Sequence, residues 1–161
     1  MHIHHMTRKE REIKDPQIQN NILKNGKFTT IGLCRDKEPY VVTLSYGYDE
    51  LQHALYFHAA NKGLKLDFIQ ENQAVCGTII EDLGYLKDEC AHAYRSLVYR
   101  GKISIVKDLQ EKKEGMEVLF HHLEEDPDPI RDRTLKNDAA YNRVTMLKIE
   151  IDHISGKEGY D

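Results

Sequence analysis

The sequence predicts a mainly β domain, an antiparallel barrel or sandwich with helices packed outside it. Three observations lead there. About six segments carry the period-two alternation or the β-branched and aromatic enrichment of strands, against three with helical spacing. The strand segments follow one another across short polar breaks, a pattern of antiparallel meanders and not of βαβ units. The chain has 161 residues, enough for one domain whose core needs no disulfide staples.

The elements follow in order. Asp15 suits the cap of an opening helix, Pro16 its first position and Gly26 its close. Ile18, Ile22 and Leu23 fall on one face of that helix. Segment 27–34 alternates, with Phe28, Thr30 and Gly32 on one side, and 35–39 is a polar turn. YVVTLSYGY, residues 40–48, is rich in strand formers; after a break at 49–53, ALYFH at 54–58 resumes the pattern, so 27–58 reads as a three-stranded meander. A short helix over 64–72 carries Leu64, Leu66, Phe68 and Ile69 as its apolar residues. QAVCGTIIE at 73–81 is a strand and 82–93 a polar connection. A long strand covers 94–106, where Gly101 predicts a bulge or bend. Asp108, with Glu111 three residues on, caps a helix over 108–123 that is apolar at Leu109, Met116, Leu119, Phe120 and Leu123. EEDPDP at 124–129 is an acidic turn, and 143–154 is a final alternating strand. The domain is expected over 15–158, between tails at 1–14 and 159–161.

Composition narrows the function classes. Lys and Arg total 23 and Asp and Glu 27, a net charge of −4 that lacks the basic excess of a nucleic-acid binder. No apolar run approaches the ~18–20 residues of a membrane span, and the first fifteen residues show no apolar leader segment, so a cytoplasmic location is expected. Cys34, Cys76 and Cys90 are odd in number and form no CxxC pair, which reads as isolated thiols in a reducing compartment. His2, His4 and His5 cluster on the N-terminal tail, and His121 and His122 read as a solvated helix end. Neither they nor Cys90 with His92 form a metal-ligand pattern, and no metal site is expected.

The stretch most suggestive of chemistry is ALYFHAANKGLKLDFIQEN at 54–72. A strand runs through small residues and Lys62-Gly63 into a helix with Lys65 in its first turn, an arrangement able to hold a phosphate on backbone N–H groups, helix dipole and one cation. The preceding strand sets Thr43 and Ser45 on one face among apolar neighbours, a mixture that suits a flat heteroaromatic ligand.

With those residues in view, PYVVTLSYGYDELQHALYFHAANKGLKLDFIQENQAVC resembles the flavin-binding core of the pyridoxamine 5′-phosphate oxidase-like split-barrel proteins, and among them the branch of the 5-nitroimidazole resistance proteins. RKEREIKD at 8–15, ECAHAYRSLVYRGK at 89–102 and KIEIDHISGKE at 148–158 extend the resemblance over 8–158. It implies a six-stranded antiparallel split β-barrel and a two-fold homodimer with FMN sites at the interface. By the same resemblance Thr43 and Leu44 lie on the strand lining the flavin ring. Phe57, His58 and Ala59 end the strand passing the ribityl phosphate, and Lys65 pairs with the phosphate. Arg95 and Ser96 belong to the segment that the partner chain brings to the ring. His58 matches a histidine near the ligand in the nitroimidazole branch and is the candidate catalytic residue.

Two departures bear on activity. The phosphate loop reads Lys62-Gly63-Leu64-Lys65 where the pyridoxamine-phosphate-oxidising relatives carry a more basic Ser-Arg-Lys type. Ser155-Gly156-Lys157 ends the pattern with no arginine cluster for a substrate phosphate, so true pyridoxamine 5′-phosphate oxidation is not expected. The expected activity is that of an FMN-dependent oxidoreductase passing reducing equivalents from a nicotinamide to a small acceptor such as a nitroaromatic. The alternatives are a non-catalytic flavin-binding protein, a haem-binding split barrel with His92, His121 or His153 as axial ligand, and a scaffold that binds nothing.

Overall fold

The computed structural model describes residues 6–159. A 3₁₀ turn at Lys9–Arg11 leads into β1 (Glu12–Ile13), α1 (Pro16–Asn25), β2 (Phe28–Arg35), β3 (Glu38–Ser45), β4 (Gly47–Asp49) and β5 (Ala54–Ala59). The chain continues through α2 (Leu64–Glu71), β6 (Ala74–Leu86), β7 (Ala91–Val106), α3 (Leu109–Leu123), α4 (Asp128–Thr134), α5 (Asp138–Asn142) and β8 (Thr145–Gly159). The expected caps are present. Asp15 accepts from the Gln17 N–H and Asp108 from the Glu111 N–H, each at 2.8 Å.

One antiparallel sheet orders its strands β3-β2-β6-β7-β8-β5-β4, with β1 added on β8. β3 and β4 stand at opposite ends of that order, yet only Tyr46 separates them in the chain. The sheet must therefore curl until its two edges meet, and the wall is closed there by the chain and not by a full strand pairing. This is the split barrel. Its six principal strands are recovered once β3 and β4 are taken as the single strand read at 40–48, broken at Tyr46, and the two-residue β1 is set aside.

The break has a physical cause. Tyr46 is fully buried; its hydroxyl donates to the Leu23 carbonyl at 2.7 Å, and its N–H donates to the Lys27 carbonyl. Gly47 follows so close under α3 that a Cβ would meet the Leu119 backbone at 2.5 Å. Both contacts turn the chain out of line with β3.

Two apolar cores lie on either side of the β5 wall. Leu55 and Phe57 point into the barrel among Ile31, Tyr99 and Leu147, with Ile22 and Leu23 of α1 and Phe68 and Ile69 of α2. Ala54 and Tyr56 point outward under α3 and α5, against Met116, Phe120 and Tyr141. β5 is covered on both faces from Ala54 to Phe57, which is why ALYF reads as a continuous apolar run.

Several expectations need correction. The polar stretch 82–93 is a continuation of β6 and β7, paired to Leu86↔Ala91 across a register shift after Asp82. Its charges are tolerated because the hairpin projects beyond the core and its residues are mostly exposed. The last strand is longer than 143–154, since β8 runs to Gly159 along β7. Leu64 is exposed, and the buried face of α2 is Leu66, Phe68 and Ile69. The acidic turn is shorter than 124–129, because α4 starts at Asp128, and the short α5 follows it. The bulge at Gly101 is present: the β7–β8 register shifts there, Asp152 is the extra residue on β8, and a Cβ on Gly101 would overlap the Glu150 carbonyl oxygen.

Candidate functional site

The seam of the barrel is the candidate site. Pairing of β4 with β5 ends at Gly47↔Tyr56. Beyond it, Phe57, His58 and Ala59 pair only with β8, and β3 pairs only with β2, among the described residues. Carried past Gly47↔Tyr56, the register sets Ser45 opposite His58 and Leu44 opposite Ala59. Two strand edges thus present backbone N–H and C=O groups across a gap, and such groups need a partner other than each other.

α2 begins five residues past Ala59. Its N-cap, Gly63, has φ +143°, a value L side chains rarely adopt, and offers no side-chain cap. A Cβ there would meet nothing within 4 Å, so the helix start is open to a ligand. In the first turn the Leu66 N–H donates to the Gly63 carbonyl at 2.9 Å, which leaves the N–H groups of Leu64 and Lys65 without intrahelical acceptors. Lys62 and Lys65 are engaged in no ion pair or hydrogen bond among the described residues. Asn61 is held by the Thr145 hydroxyl, which donates to its Oδ1 at 2.7 Å and fixes the loop. This donor set, with positive helix end and lysines, fits a phosphate.

The residues singled out from sequence fall into distinct places. Thr43 faces outward, its hydroxyl 3.0 Å from that of Thr30, whereas Leu44 packs inward on the barrel core. Side-chain contact from both to one ring face is therefore ruled out by the pleat. Phe57 is fully buried in the barrel, so its contribution is limited to backbone. Ala59 also packs on that core. His58 points outward and makes no hydrogen bond among the described residues. Burial of its ring surroundings pushes its pKa below the ordinary histidine value, although the side chain keeps solvent contact.

Arg95 and Ser96 lie elsewhere. Arg95 reaches Glu158 at 3.5 Å and Glu81 at 3.9 Å. Ser96 lies on the opposite face, between Ile80 and Lys157. In the strand order β3-β2-β6-β7, three strand spacings, roughly 14 Å, separate Ser96 from the β3 edge. Within one chain the seam does not include them.

Two features were not read from the sequence. The outer face of β3, β2, β6 and β7 is bare of helices, and Thr43, Thr30, Thr78, Val98 and Ser155 form one rung across it. Phe28, Val41 and Ile80 stand on that face more than 60% exposed. Their apolar character at outward positions was the available signal. The second feature is His122, which is no solvated cap. Its Nε2 lies 2.6 Å from the Gly26 carbonyl, its Nδ1 accepts from the Tyr48 N–H at 3.4 Å, and its ring packs on Tyr46. His92 stands near Asp82, His121 near Glu117, and His153 on the outer face beside Arg100. No cluster of three metal-ligating side chains occurs among the described residues; His2, His4 and His5 lie outside them.

An antiparallel split barrel with an open seam leading to an uncapped, lysine-bearing helix start defines the class of protein. A family model described as pyridoxamine 5′-phosphate oxidase matches residues 17–158, and the chain belongs to that family. Among solved structures it is similar to a candidate 5-nitroimidazole antibiotic resistance protein from Bacteroides thetaiotaomicron, at 25% identity and TM-score 0.76, covering 98% of this chain and 95% of that one. It is also similar to an FAD-binding protein from Mesorhizobium loti (21% identity, TM-score 0.69, covering 93% and 98%). A third is the FAD and haem binding protein from Mycobacterium smegmatis (16%, TM-score 0.76, 94% and 74%). The last two likenesses concern the fold. No curated protein matches. No helix among the described residues is long and apolar enough to cross a membrane.

Proposed function

We propose that this chain binds FMN in the barrel seam as a two-fold homodimer, and acts as a flavin-dependent oxidoreductase on a small acceptor. The observation that carries this reading is the pair of unpaired strand edges ending at the open, uncapped start of α2 with Lys65 beside it. The structural likeness to flavin-binding proteins supports it. Bound FMN would supply hydride acceptance from a reduced nicotinamide and two-electron delivery to the acceptor, for which a nitroaromatic is suited.

The chain's own residues then have separable tasks. Backbone groups at Leu44 and at Phe57–Ala59 meet the polar rim of a flat ring. Lys65 and the α2 N–H groups hold the phosphate. His58 stays neutral at pH 7 because its pKa is depressed, so it positions a substrate through a ring nitrogen and is a poor proton donor there. Ser96 lies too far from the seam of its own chain, and the reading takes this residue from the partner subunit. The exposed apolar positions Phe28, Val41 and Ile80 provide the surface for that partner. Pyridoxamine phosphate is not the proposed substrate, because Lys157 is the one cation of the Ser155-Gly156-Lys157 segment.

The test is the visible spectrum of the purified protein before and after added FMN, with Lys65→Glu and Ile80→Asp variants alongside. Flavin bands shifted from those of free FMN are expected, and Lys65→Glu should lose them by placing a carboxylate at the phosphate. Ile80→Asp should sediment as a monomer and also lose flavin. A colourless protein indifferent to FMN refutes the reading, and a Soret band replaces it with haem binding.

A further inference from the structure

The cleft that rises beside the bare face holds charge that the fold does not use. It has a volume of about 630 Å³ and is lined by Glu12, Lys14, Gln19, Val98, Arg100 and His153, with Ile13 and Ile154 behind. Arg100 and His153 are directly paired across β7 and β8 on the outer face, and Lys14 enters from the link between β1 and α1. Arg100, Lys14 and His153 have no hydrogen bond, ion pair or ring contact among the described residues. Arg100 is half-buried as a residue, and its guanidinium donors remain accessible to a ligand in the cleft.

The charge balance points to the occupant. Lys14 and Arg100 bring two positive charges and Glu12 one negative, while the residue opposite Glu12 in the ladder is Lys157. The cleft is net positive in a chain of net charge −4. Its remaining wall mixes polar Gln19 and Ser155 with an apolar strip at Val98 and Ile154. A volume of this size suits one small organic molecule, and a guanidinium fork matches a carboxylate.

We propose that this cleft binds a small aromatic monocarboxylate, with Arg100 and Lys14 on the carboxylate and Val98 under the ring. The proposal rests on the flavin reading for its function. Val98 lies two residues along β7 from Ser96 on the same face, roughly 7 Å away, so the cleft adjoins the segment assigned to the flavin ring. It thereby makes the acceptor an anionic aromatic and makes Arg100 a specificity-determining residue.

The experiment titrates the purified full chain, with whatever flavin it carries, with 4-nitrobenzoate and with the neutral 4-nitrobenzamide, by calorimetry. The flavin absorbance of each sample is recorded in parallel. At least tenfold tighter binding of the carboxylate is expected. Arg100→Gln should weaken it tenfold or more and Lys14→Gln several-fold, both with unchanged far-ultraviolet circular dichroism. Lys14→Gln, on an exposed link, keeps the test valid if Arg100→Gln folds poorly. Equal binding of acid and amide, no binding of either, or no effect of either substitution overturns the proposal. Carboxylate discrimination by a protein that takes up no added FMN upholds the cleft and refutes the flavin reading; flavin uptake without discrimination does the reverse.

Discussion

Replacing His122 with Ala tests how the seam region is held. The ring joins three elements. Nε2–H donates to the Gly26 carbonyl after α1 at 2.6 Å, Nδ1 accepts from Tyr48 of β4 at 3.4 Å, and the ring lies 4.9 Å from that of Tyr46. The short hydrogen bond is worth about 1 kcal/mol net and the long one less. The ring pair adds about 0.5–1.5 kcal/mol, and the carbonyl left behind costs about a further 1 kcal/mol. A loss of about 2–4 kcal/mol follows, which in a domain of this size lowers Tm by roughly 5–15 °C. The pH dependence is a second signature. Burial, with Lys27 adding to it, holds the imidazole pKa below its ordinary value, against the opposing pull of the Gly26 carbonyl. The unfolded chain then binds the proton more readily. The stabilisation is complete above the ordinary histidine value of about 6.5 and is lost as pH falls below it toward the folded-state pKa. His58 has a depressed pKa as well and contributes with the same sign, so His58→Gln is the control that isolates His122. Thermal melts followed by circular dichroism between about pH 5 and pH 7.5 should show a shallower pH dependence in His122→Ala than in the unchanged protein, and the same flattening when His122→Ala is added to His58→Gln. A Tm within about 2 °C of the parent, or an unchanged pH profile, refutes the argument.

Two further outcomes follow from backbone geometry. Gly101→Ala places a methyl on the Glu150 carbonyl oxygen at the bulge and should cost about 1–3 kcal/mol in urea unfolding, with the m-value unchanged. Asp108→Ala removes the acceptor for the Glu111 N–H and should cost about 1 kcal/mol, read in the same assay.

Much of this fold was legible because its signals are local. Asp15-Pro16 and Asp108 announced helix starts, and Gly101 announced a bulge, since each residue's backbone preference acts within a few neighbours. The 82–93 hairpin was not legible. Asp82, Asp88 and Glu89 are poor strand formers, and the ladder between β6 and β7, a long-range term, outweighs that preference. His122 was misread for a similar reason: a helix end beside Gly26 and Tyr46 is a fact of packing between residues some 96 positions apart. At the candidate site, the sequence named segments but not side-chain direction. Leu44 and Phe57 face the core while Thr43 and His58 face out, and only the register of β3 and β5 decides which atoms of those segments reach the seam.

The seam itself is open for reasons that lie outside it. Two adjacent antiparallel edges gain by pairing, so a gap between β3 and the end of β5 requires competing contacts. Tyr46 supplies them: its hydroxyl is committed to Leu23, its N–H to Lys27, and its ring to His122. Burial drives the phenol pKa upward, so the hydroxyl remains a donor to Leu23 across the working pH range. Gly47 next door is pinned beneath α3 with no room for a side chain. β4 is thereby delivered to β5 while β3 stays with β2, and the two edges part between Ser45 and Gly47. A ligand entering there breaks no strand pairing and finds backbone donors and acceptors already in place. Contacts at α1 and α3, outside the seam, therefore set its geometry, which links the stability effect expected at His122 to the ligand retention proposed for Lys65.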